Sequence, residues 1–281
     1  MAFLTKFYEI LSSEFLGANP TTTGLDHLAF HRFLKHPVTG QYSPETINYL
    51  VEQYVDFNKA KHILDAGCGW GGTLAYLAHE HHFSGIGLTV SSQQQSFAAE
   101  KITKNNPYLQ FLQLNYLDLD ELEKRFDLVI MIESFIHCEN RELFAKKLAQ
   151  HTNKTGRLII VDDWFAIDKI NQSDLANIEN GWSLNKLMPY AEMVSILEEV
   201  GFSLSYTTDL TASMKQRSIS DVERELIQAP DNASHSDGAE KQGVINDNLI
   251  GSLTLERLYL EGKVKYTLSV FDLVEPPVVT N

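Results

Sequence analysis

The chain has 281 residues, of which 43% are hydrophobic, and this is enough for one large α/β domain with a built-in lid. Its net charge of −14 and pI near 5.1 repel phosphate groups, so nucleic acid and anionic membrane surfaces are disfavoured as partners. Cys68 and Cys138 provide neither a disulfide framework nor a zinc-ligand spacing, so we expect no metal and a reduced, cytoplasmic protein. No apolar run is long enough to predict a membrane span.

The amino-terminal region is rich in aromatic and histidine side chains. Residues 3–12 have apolar side chains at helical spacing and predict a helix. Glycines and prolines interrupt residues 12–41, a segment that contains His27 and His31. Such a segment either forms a lid over a substrate, with these histidines in contact with it, or fills space against the helix layer. Ser43, followed by a proline, predicts the N-cap of the next helix.

A glycine-rich turn at residues 62–73 is the most informative stretch of the sequence. A short apolar strand ends at Asp65, and Gly67, Cys68 and Gly69 lead from it into a helix. Glycines allow positive φ and let a ligand lie against bare backbone, while the helix start offers free N–H groups. A carboxylate here disfavours a phosphate and suits a ligand with an amino group, and the Lys-Ser/Thr of a P-loop is missing.

At these residues the chain resembles motif I of the class I S-adenosylmethionine (SAM) methyltransferases, an apolar strand followed by Asp/Glu-x-Gly-x-Gly. The continuation through Trp70 and Gly72 is similar to the branch that holds cyclopropane-fatty-acid synthases, tocopherol methyltransferases and small-molecule C-, N- and O-methyltransferases. The resemblance implies SAM as cofactor, with Asp65, Gly67, Cys68 and Gly69 in contact with it. It also implies an α/β, Rossmann-like fold: a seven-stranded, mostly parallel sheet with helices on both faces, an antiparallel last strand and helical lid segments.

The next strand, residues 84–90, lacks the acidic residue that grips ribose in most nucleoside-binding α/β folds. An NAD-dependent oxidoreductase would need that acid. Thr89 at this position therefore argues against interpreting the glycine turn as an NAD-binding motif. The sequence instead resembles the Gly-x-Thr-x-Ser-x-x-Gln pattern of the cyclopropanating and related methyltransferases. That likeness implies that Thr89 and Gln94 contact the ribose hydroxyls, because a hydroxyl and an amide can hydrogen-bond a diol.

A third strand is predicted at residues 109–114 from the alternation of apolar side chains. Asn115 follows it, where Asp is commoner in the families that the chain resembles. The resemblance implies that the Asn115 side-chain oxygen and the Tyr116 backbone N–H contact adenine. Asp118 is predicted to cap a short helix at residues 119–124.

An apolar run at residues 126–132 predicts a central parallel strand, and Glu133 and His137 follow it. Ligands of open α/β sheets lie beyond the carboxyl ends of the strands. The sequence here resembles the Glu-Ser-x-x-His of sterol, prenyl-diphosphate and natural-product methyltransferases. Cyclopropanating enzymes carry Glu-His where this chain has Ile136-His137, which disfavours cyclopropanation. His137 is therefore the candidate general base, and Glu133 a candidate cofactor contact or stabiliser of a carbocation.

After a predicted turn at residues 153–156, a fifth strand at 157–161 ends in Asp162 and Asp163. Paired acids there could bind magnesium with a diphosphate, or one could orient His137. A hydrogen bond from a nearby loop is the commoner role, and we favour it for Asp163.

The rest of the chain predicts a roof and the last strands. Trp182 lies in a helical insertion at residues 166–186, and together with Trp164 and Tyr190 it is a candidate substrate contact. A sixth strand is predicted at 202–211, a helix at 214–227, a mobile loop at 229–240 and an antiparallel strand at 263–271. Residues 248–261 fit neither the helical nor the strand period cleanly.

We therefore predict methyl transfer from SAM to a small-molecule acceptor, a secondary metabolite, at C, O or N. One alternative is C-methylation of a prenyl diphosphate or other terpenoid alkene, with magnesium, although no cluster of Arg and Lys supports a diphosphate. Another is a SAM-binding fold that acts as a non-methylating cyclase or an interaction subunit, and a homodimer is compatible with each.

The predicted divisions of the chain are a lid at 1–42, a SAM-binding core at 43–163, a lid insertion at 164–185, more core at 186–211, a helical cap at 212–262, and the last strand and tail at 263–281.

Overall fold

The computed structural model describes residues 2–18, 31–229 and 239–274. Its strands are β1 Leu34–Lys35, β2 Tyr42–Ser43, β3 His62–Ala66, β4 Ser84–Thr89, β5 Leu109–Gln113, β6 Phe126–Ile132, β7 Thr152–Phe165, β8 Phe202–Asp209 and β9 Val264–Leu273. Its α-helices are α1 Ala2–Ala18, α2 Thr46–Glu52, α3 Gly72–Glu80, α4 Ser92–Ala98, α5 Arg141–His151, α6 Gln172–Trp182, α7 Tyr190–Glu198, α8 Ile219–Gln228 and α9 Ala239–Leu260. Among these described ranges, no helix is long and apolar enough to cross a membrane.

One seven-stranded sheet organises the molecule, with strand order β5-β4-β3-β6-β7-β9-β8. Strands β3, β4, β5, β6 and β7 run parallel to one another, whereas β9 pairs antiparallel with both β7 and β8. The fold class predicted from the sequence is therefore confirmed, including the antiparallel last strand. Because the chain leaves β3 towards β4 and later returns to its other side as β6, a crevice opens at the carboxyl ends of these strands.

Apolar layers cover both faces of the sheet. Along β3, Ile63 belongs to a core on one face and Leu64 to a core on the other, as the alternation of side chains along a strand requires. The helices α3 and α6 pack on the first face, and α5 and α7 pack on the second. The sheet is rigid for that reason, and its strand ends hold side chains in fixed positions.

Two segments differ from their predicted form. Residues 153–156, predicted as a turn, lie inside β7, where the register with β6 shifts and Thr155 has a φ of 65°. The polar, glycine-containing sequence therefore marks an irregularity in a long strand. Of residues 248–261, which fitted neither period, all but the last belong to the helix α9, which ends at Leu260. This helix packs along α6, where Gly181 and Gly251 lie so close that a Cβ on Gly181 would stand 2.7 Å from the Gly251 Cα.

Three predicted helix starts are wrong in detail. Asn115, not Asp118, caps the short helix after β5, since its side chain accepts a hydrogen bond from the Leu117 N–H at 2.8 Å. Ser43 lies in β2, and α2 begins at Thr46. The helix predicted from residue 214 begins at Ile219, where Ser218 accepts from the Asp221 N–H. Residues 230–238 of the predicted mobile loop lie outside the described part of the chain.

Candidate active site

The glycine turn after β3 is held against the neighbouring strand by its own backbone. The N–H groups of Gly67 and Cys68 both donate to the Leu88 carbonyl, at 3.0 and 2.8 Å. Gly67 and Gly69 have φ values of 98° and 52°, in the region that favours glycine. A Cβ on Gly67 would stand 2.4 Å from the Ser134 Cβ, whereas a Cβ on Gly69 would meet nothing within 4 Å. Gly67 is therefore required for packing, and Gly69 leaves open space for a ligand.

Asp65 is buried at the end of β3 with a carboxylate oxygen, Oδ2, that no described group hydrogen-bonds. Burial raises the pKa of this carboxyl to about 7. A buried acceptor without a partner is costly, and a ligand that brings an ammonium group would satisfy it. Asp65, which the resemblance implies as a cofactor contact, therefore has one carboxylate oxygen available to such a group.

Polar side chains at the ends of β4 and β5 line a cavity that the glycine turn also lines. The Thr89 hydroxyl donates to the Gln94 side-chain oxygen at 2.6 Å, and the Gln94 amide donates to the Ser12 hydroxyl of α1 at 3.3 Å. Asn115 and Tyr116 line the cavity as well, although the Asn115 oxygen already accepts the capping bond from Leu117. The structure therefore brings the predicted ribose-contacting and adenine-contacting residues together at one edge of the sheet.

The cavity that these residues line has a volume of about 1270 Å³. It extends from the glycine turn, past the end of β6, to the helices α6 and α9. This volume is enough for a nucleoside cofactor together with a small-molecule acceptor. Its wall combines apolar and polar side chains, among them Leu4, Tyr8, His31, Arg32, Tyr42, Glu133, Ile136, His137, Asp162, Asp163, Phe165, Ile178, Trp182 and Leu255.

His137 lies in the cavity wall just beyond β6, and its closest polar partner comes from the amino-terminal helix. The Tyr8 hydroxyl of α1 is 2.9 Å from the His137 Nε2. The other ring nitrogen, Nδ1, is buried and has no hydrogen-bond partner among the described residues. Burial lowers the pKa of His137 to about 4 and raises that of Tyr8, which nearby Glu133 and Asp162 also raise. Both side chains are therefore neutral near pH 7.

The carboxylates at the ends of β6 and β7 are already hydrogen-bonded. Glu133 accepts from the Tyr266 hydroxyl at 2.8 Å and from the Arg32 backbone N–H at 3.2 Å. Asp163 accepts from the guanidinium of Arg32 and from the Tyr259 hydroxyl. The hydrogen bond to a nearby loop that we favoured for Asp163 is thus present. Glu133 and Asp163 both accept hydrogen bonds from Arg32, and Glu133 also lines the cavity.

Asp162, the other acid of the predicted pair, faces the backbone of the His137 loop. Its two oxygens accept from the N–H groups of Ile136 and Asp163, each at 2.9 Å. Burial, with a contribution from the charge of Asp163, raises the pKa of Asp162 to about 8. Within the described residues, no three His, Cys, Asp or Glu side chains are grouped so that they could hold a metal ion.

The predicted substrate contacts divide between the two faces of the sheet. Trp182 and His31 line the cavity, and His31 Nε2 lies 3.3 Å from the Thr73 hydroxyl of α3. Trp164 and Tyr190 pack on each other in the opposite core, where the Trp164 indole donates to Thr267. The structure does not bring those two rings to the cavity: neither lines it, and Trp164 lies on the face of β7 opposite Asp163 and Phe165, deeper in the second core. His27 lies outside the described residues.

Two residues of the site, Tyr8 and Arg32, were not singled out from the sequence. Tyr8 was counted as an apolar member of the amino-terminal helix, and Arg32 stood among histidines and aromatic residues. Both reach strand ends more than 100 positions away along the chain. No local feature of the sequence indicated either contact.

A mostly parallel sheet with an acidic glycine turn and a large cavity at its carboxyl edge is typical of the class I SAM-dependent methyltransferases. The sequence comparisons agree, because the profile of the family "Mycolic acid cyclopropane synthetase" matches residues 47–220. The chain belongs to this family.

The curated relatives of the chain include methyltransferases, and several solved structures share its fold. The chain is 24% identical over 196 residues to the O-methyltransferase resE of Aspergillus sclerotiorum, a match that covers 68% of this chain and 74% of that protein. Its fold is similar to the [4+2]-cyclase SpnF, with a TM-score of 0.71 and 13% identity over 95% of this chain and 94% of the other. It is also similar to the geranyl diphosphate C-methyltransferase of Streptomyces coelicolor A3(2), with a TM-score of 0.67, 14% identity and 97% of each chain covered.

Proposed function

We propose that the protein transfers a methyl group from SAM to a hydroxyl group of a neutral small molecule, with Tyr8 and His137 removing the proton. The contact between the Tyr8 hydroxyl and the His137 Nε2 in the cavity wall supports this proposal most strongly. The O-methyltransferase relative favours oxygen as the methylated atom. The chain's own residues would hold the cofactor at Asp65, the glycine turn, Thr89 and Gln94.

When bound, SAM supplies a methyl group that its sulfonium sulfur already activates. The protein must then align the acceptor and take up one proton. The acceptor oxygen forms its bond to the methyl carbon as the bond to sulfur breaks, and S-adenosylhomocysteine leaves. Tyr8 accepts the proton of the acceptor hydroxyl while its own proton passes to His137 Nε2. Two observations support this route: the Tyr8 hydroxyl lies 2.9 Å from the His137 Nε2, and the other ring nitrogen is buried.

The low pKa of His137 is compatible with this role. A neutral imidazole is available at every pH above about 4. A hydroxyl oxygen that has gained a methyl group before losing its proton is a far stronger acid than an imidazolium, so a weak base is sufficient. Burial thus keeps the histidine unprotonated and able to accept a hydrogen bond.

A diphosphate acceptor is less compatible with the charges of the cavity. Among its described lining residues Arg32 is the one Lys or Arg, and Asp163 pairs with it. Five acidic residues line the same wall, namely Glu45, Glu133, Glu139, Asp162 and Asp163, of which Asp162, with a pKa of about 8, is mostly neutral near pH 7. An anionic acceptor would meet repulsion without a free cation to oppose it. We therefore place C-methylation of a prenyl diphosphate, with magnesium, behind methylation of a neutral molecule.

A methyl-transfer assay tests the proposal. The purified protein is incubated with SAM carrying an isotopic label on the methyl carbon and with a panel of neutral phenols and alcohols. We expect label in an O-methylated product, and we expect His137→Ala to lower turnover by about 100-fold while the affinity for SAM stays unchanged. Unchanged turnover in this variant would exclude His137 as the proton acceptor. A product formed without label would instead favour the non-methylating cyclase.

A further inference from the structure

Arg32 connects the amino-terminal segment to four elements of the cavity wall. Its guanidinium pairs with Asp163 on β7 and lies over two tyrosine rings, 5.1 Å from the Tyr259 centroid on α9 and 5.3 Å from that of Tyr266 on β9. Its backbone N–H donates to Glu133 at the end of β6. Lysine could not reproduce this arrangement, because a planar guanidinium stacks on rings and donates in a fixed fork.

The same tyrosines complete a closed set of contacts around the two carboxylates. Tyr266 donates to Glu133 at 2.8 Å, and Tyr259 donates to Asp163. The carboxyl of Asp163 is fully buried, and burial raises its pKa while Arg32 opposes that shift. Arg32 is therefore the one described cation that offsets the acids at this part of the wall.

The residue before Arg32 contacts the cofactor side of the cavity. His31 Nε2 lies 3.3 Å from the Thr73 hydroxyl in the first turn of α3, directly after the glycine turn. The carbonyl of the following residue, Phe33, accepts from the Lys215 N–H at 2.8 Å. Arg32 is thus fixed from both sides along the chain, and its charge cannot swing freely into solvent.

We propose that Arg32 determines which acceptors the enzyme binds. The positive charge of Arg32 sets the net charge that an acceptor meets at the ends of β6 and β7. With Arg32 in place, Asp163 has a partner and Glu133 is held by two donors, so a cationic acceptor gains little from this wall. Without the guanidinium, burial would favour the protonated, neutral form of Asp163, and an acceptor that carries an ammonium group would supply the positive charge that keeps this carboxyl ionised. This inference rests on the proposed function, since it concerns the acceptor part of the same cavity.

Three phenols of nearly the same shape test the proposal. They are tyramine, which is a cation, 4-propylphenol, which is neutral, and 3-(4-hydroxyphenyl)propionate, which is an anion. Binding of each to the protein loaded with S-adenosylhomocysteine is measured by titration calorimetry. Because no methyl transfer is needed, a failure of this test is distinct from a failure of the proposed reaction.

We expect Arg32→Gln to raise the affinity for tyramine, relative to 4-propylphenol, by about tenfold over the wild-type ratio. Asp163→Asn should act in the opposite direction and raise the relative affinity for the propionate, because it frees the guanidinium. Tyr259→Phe is the matched control: it removes a hydrogen bond to Asp163 without changing the charge and should leave both ratios unchanged. Arg32→Lys keeps the charge and should retain the wild-type selectivity in part.

Two results would overturn the proposal. One is a folded Asp163→Asn or Arg32→Gln protein with affinity ratios within about twofold of the wild type, since either variant alone changes the charge of the pair. The other is the failure of all three phenols to bind the wild-type protein at millimolar concentration, because the wall would then not form part of an acceptor site.

Discussion

The Tyr8 hydroxyl lies 2.9 Å from the His137 Nε2, although 129 positions separate the two residues along the chain. The contact joins the amino-terminal helix α1 to the loop after the central strand β6. It gives the buried histidine its one polar partner among the described residues. If Tyr8 and His137 remove the proton as we propose, the helix α1 contributes to the chemistry as well as to the cavity wall.

The first prediction concerns this pair. Tyr8→Phe removes the hydroxyl and keeps the ring, so kcat should fall by about 10- to 100-fold while SAM binds as before. If the two residues act as one relay, Tyr8→Phe combined with His137→Ala should be no slower than His137→Ala alone. Steady-state kinetics of the four proteins checks this, and additive losses would show that the residues act separately.

Asp65 gives the second prediction. Asp65→Asn keeps the shape of the side chain but removes the charge that we assign to the cofactor ammonium group. We expect a loss of SAM affinity of about 100-fold or more in titration calorimetry, since a buried ion pair loses one partner. Circular dichroism should show an intact fold, because no described group hydrogen-bonds the Asp65 Oδ2. SAM affinity equal to that of the wild type would refute the assignment.

The third prediction follows from the pKa of Asp65 and concerns the pH dependence of SAM binding. Burial raises this pKa to about 7, so the carboxyl of the SAM-free protein is mostly protonated at pH 5. SAM affinity should therefore fall as the pH falls from 7 to 5, by up to about tenfold per unit. The SAM affinity of the Asp65→Asn variant should not change between pH 7 and pH 5.

The raised pKa of Asp65 also affects the stability of the SAM-free protein, but in the opposite direction: lower pH strengthens stability, whereas it weakens SAM binding. The folded protein binds this proton more tightly than the unfolded chain does, so the contribution of Asp65 to the free energy of unfolding decreases as the pH rises from about 4 to 7. The increase in Tm that SAM produces should accordingly be larger at pH 7 than at pH 5. Differential scanning calorimetry with and without SAM measures both quantities, and equal increases at the two pH values would contradict the proton linkage.

The sheet, and the position of the proposed cofactor residues at its edge, could be predicted from the sequence because both depend on local pattern. The apolar run at 126–132 coincides with β6, and the glycine turn has the positive φ values that its composition indicates. Period and turn chemistry are encoded within a few residues, and parallel strands then bring Asp65 and Glu133 to one edge.

The acceptor side was less predictable because its contacts join distant parts of the chain. Tyr8 and Arg32 reach the strand ends from the amino-terminal segment, and no local pattern indicates which strand they meet. Trp164 shows the reverse error: an aromatic residue next to a predicted acid was assigned to the substrate, but strand alternation places it in the opposite core. A tryptophan can pack on either face of a sheet. The register of β7 with β9 determines which face the Trp164 side chain takes.

The fourth prediction separates packing from ligand binding within the glycine turn. Gly67→Ala should cost about 3 kcal/mol or more in the free energy of unfolding, because its φ is 98° and the new Cβ would overlap Ser134. Gly69→Ala should cost only about 1 kcal/mol, because its Cβ meets nothing within 4 Å. This Cβ would occupy space that lines the cavity, so Gly69→Ala should instead weaken SAM binding. Urea unfolding and calorimetric titration of the two variants distinguish these effects, and equal stability losses would show that backbone conformation, rather than contact with Ser134, controls the turn.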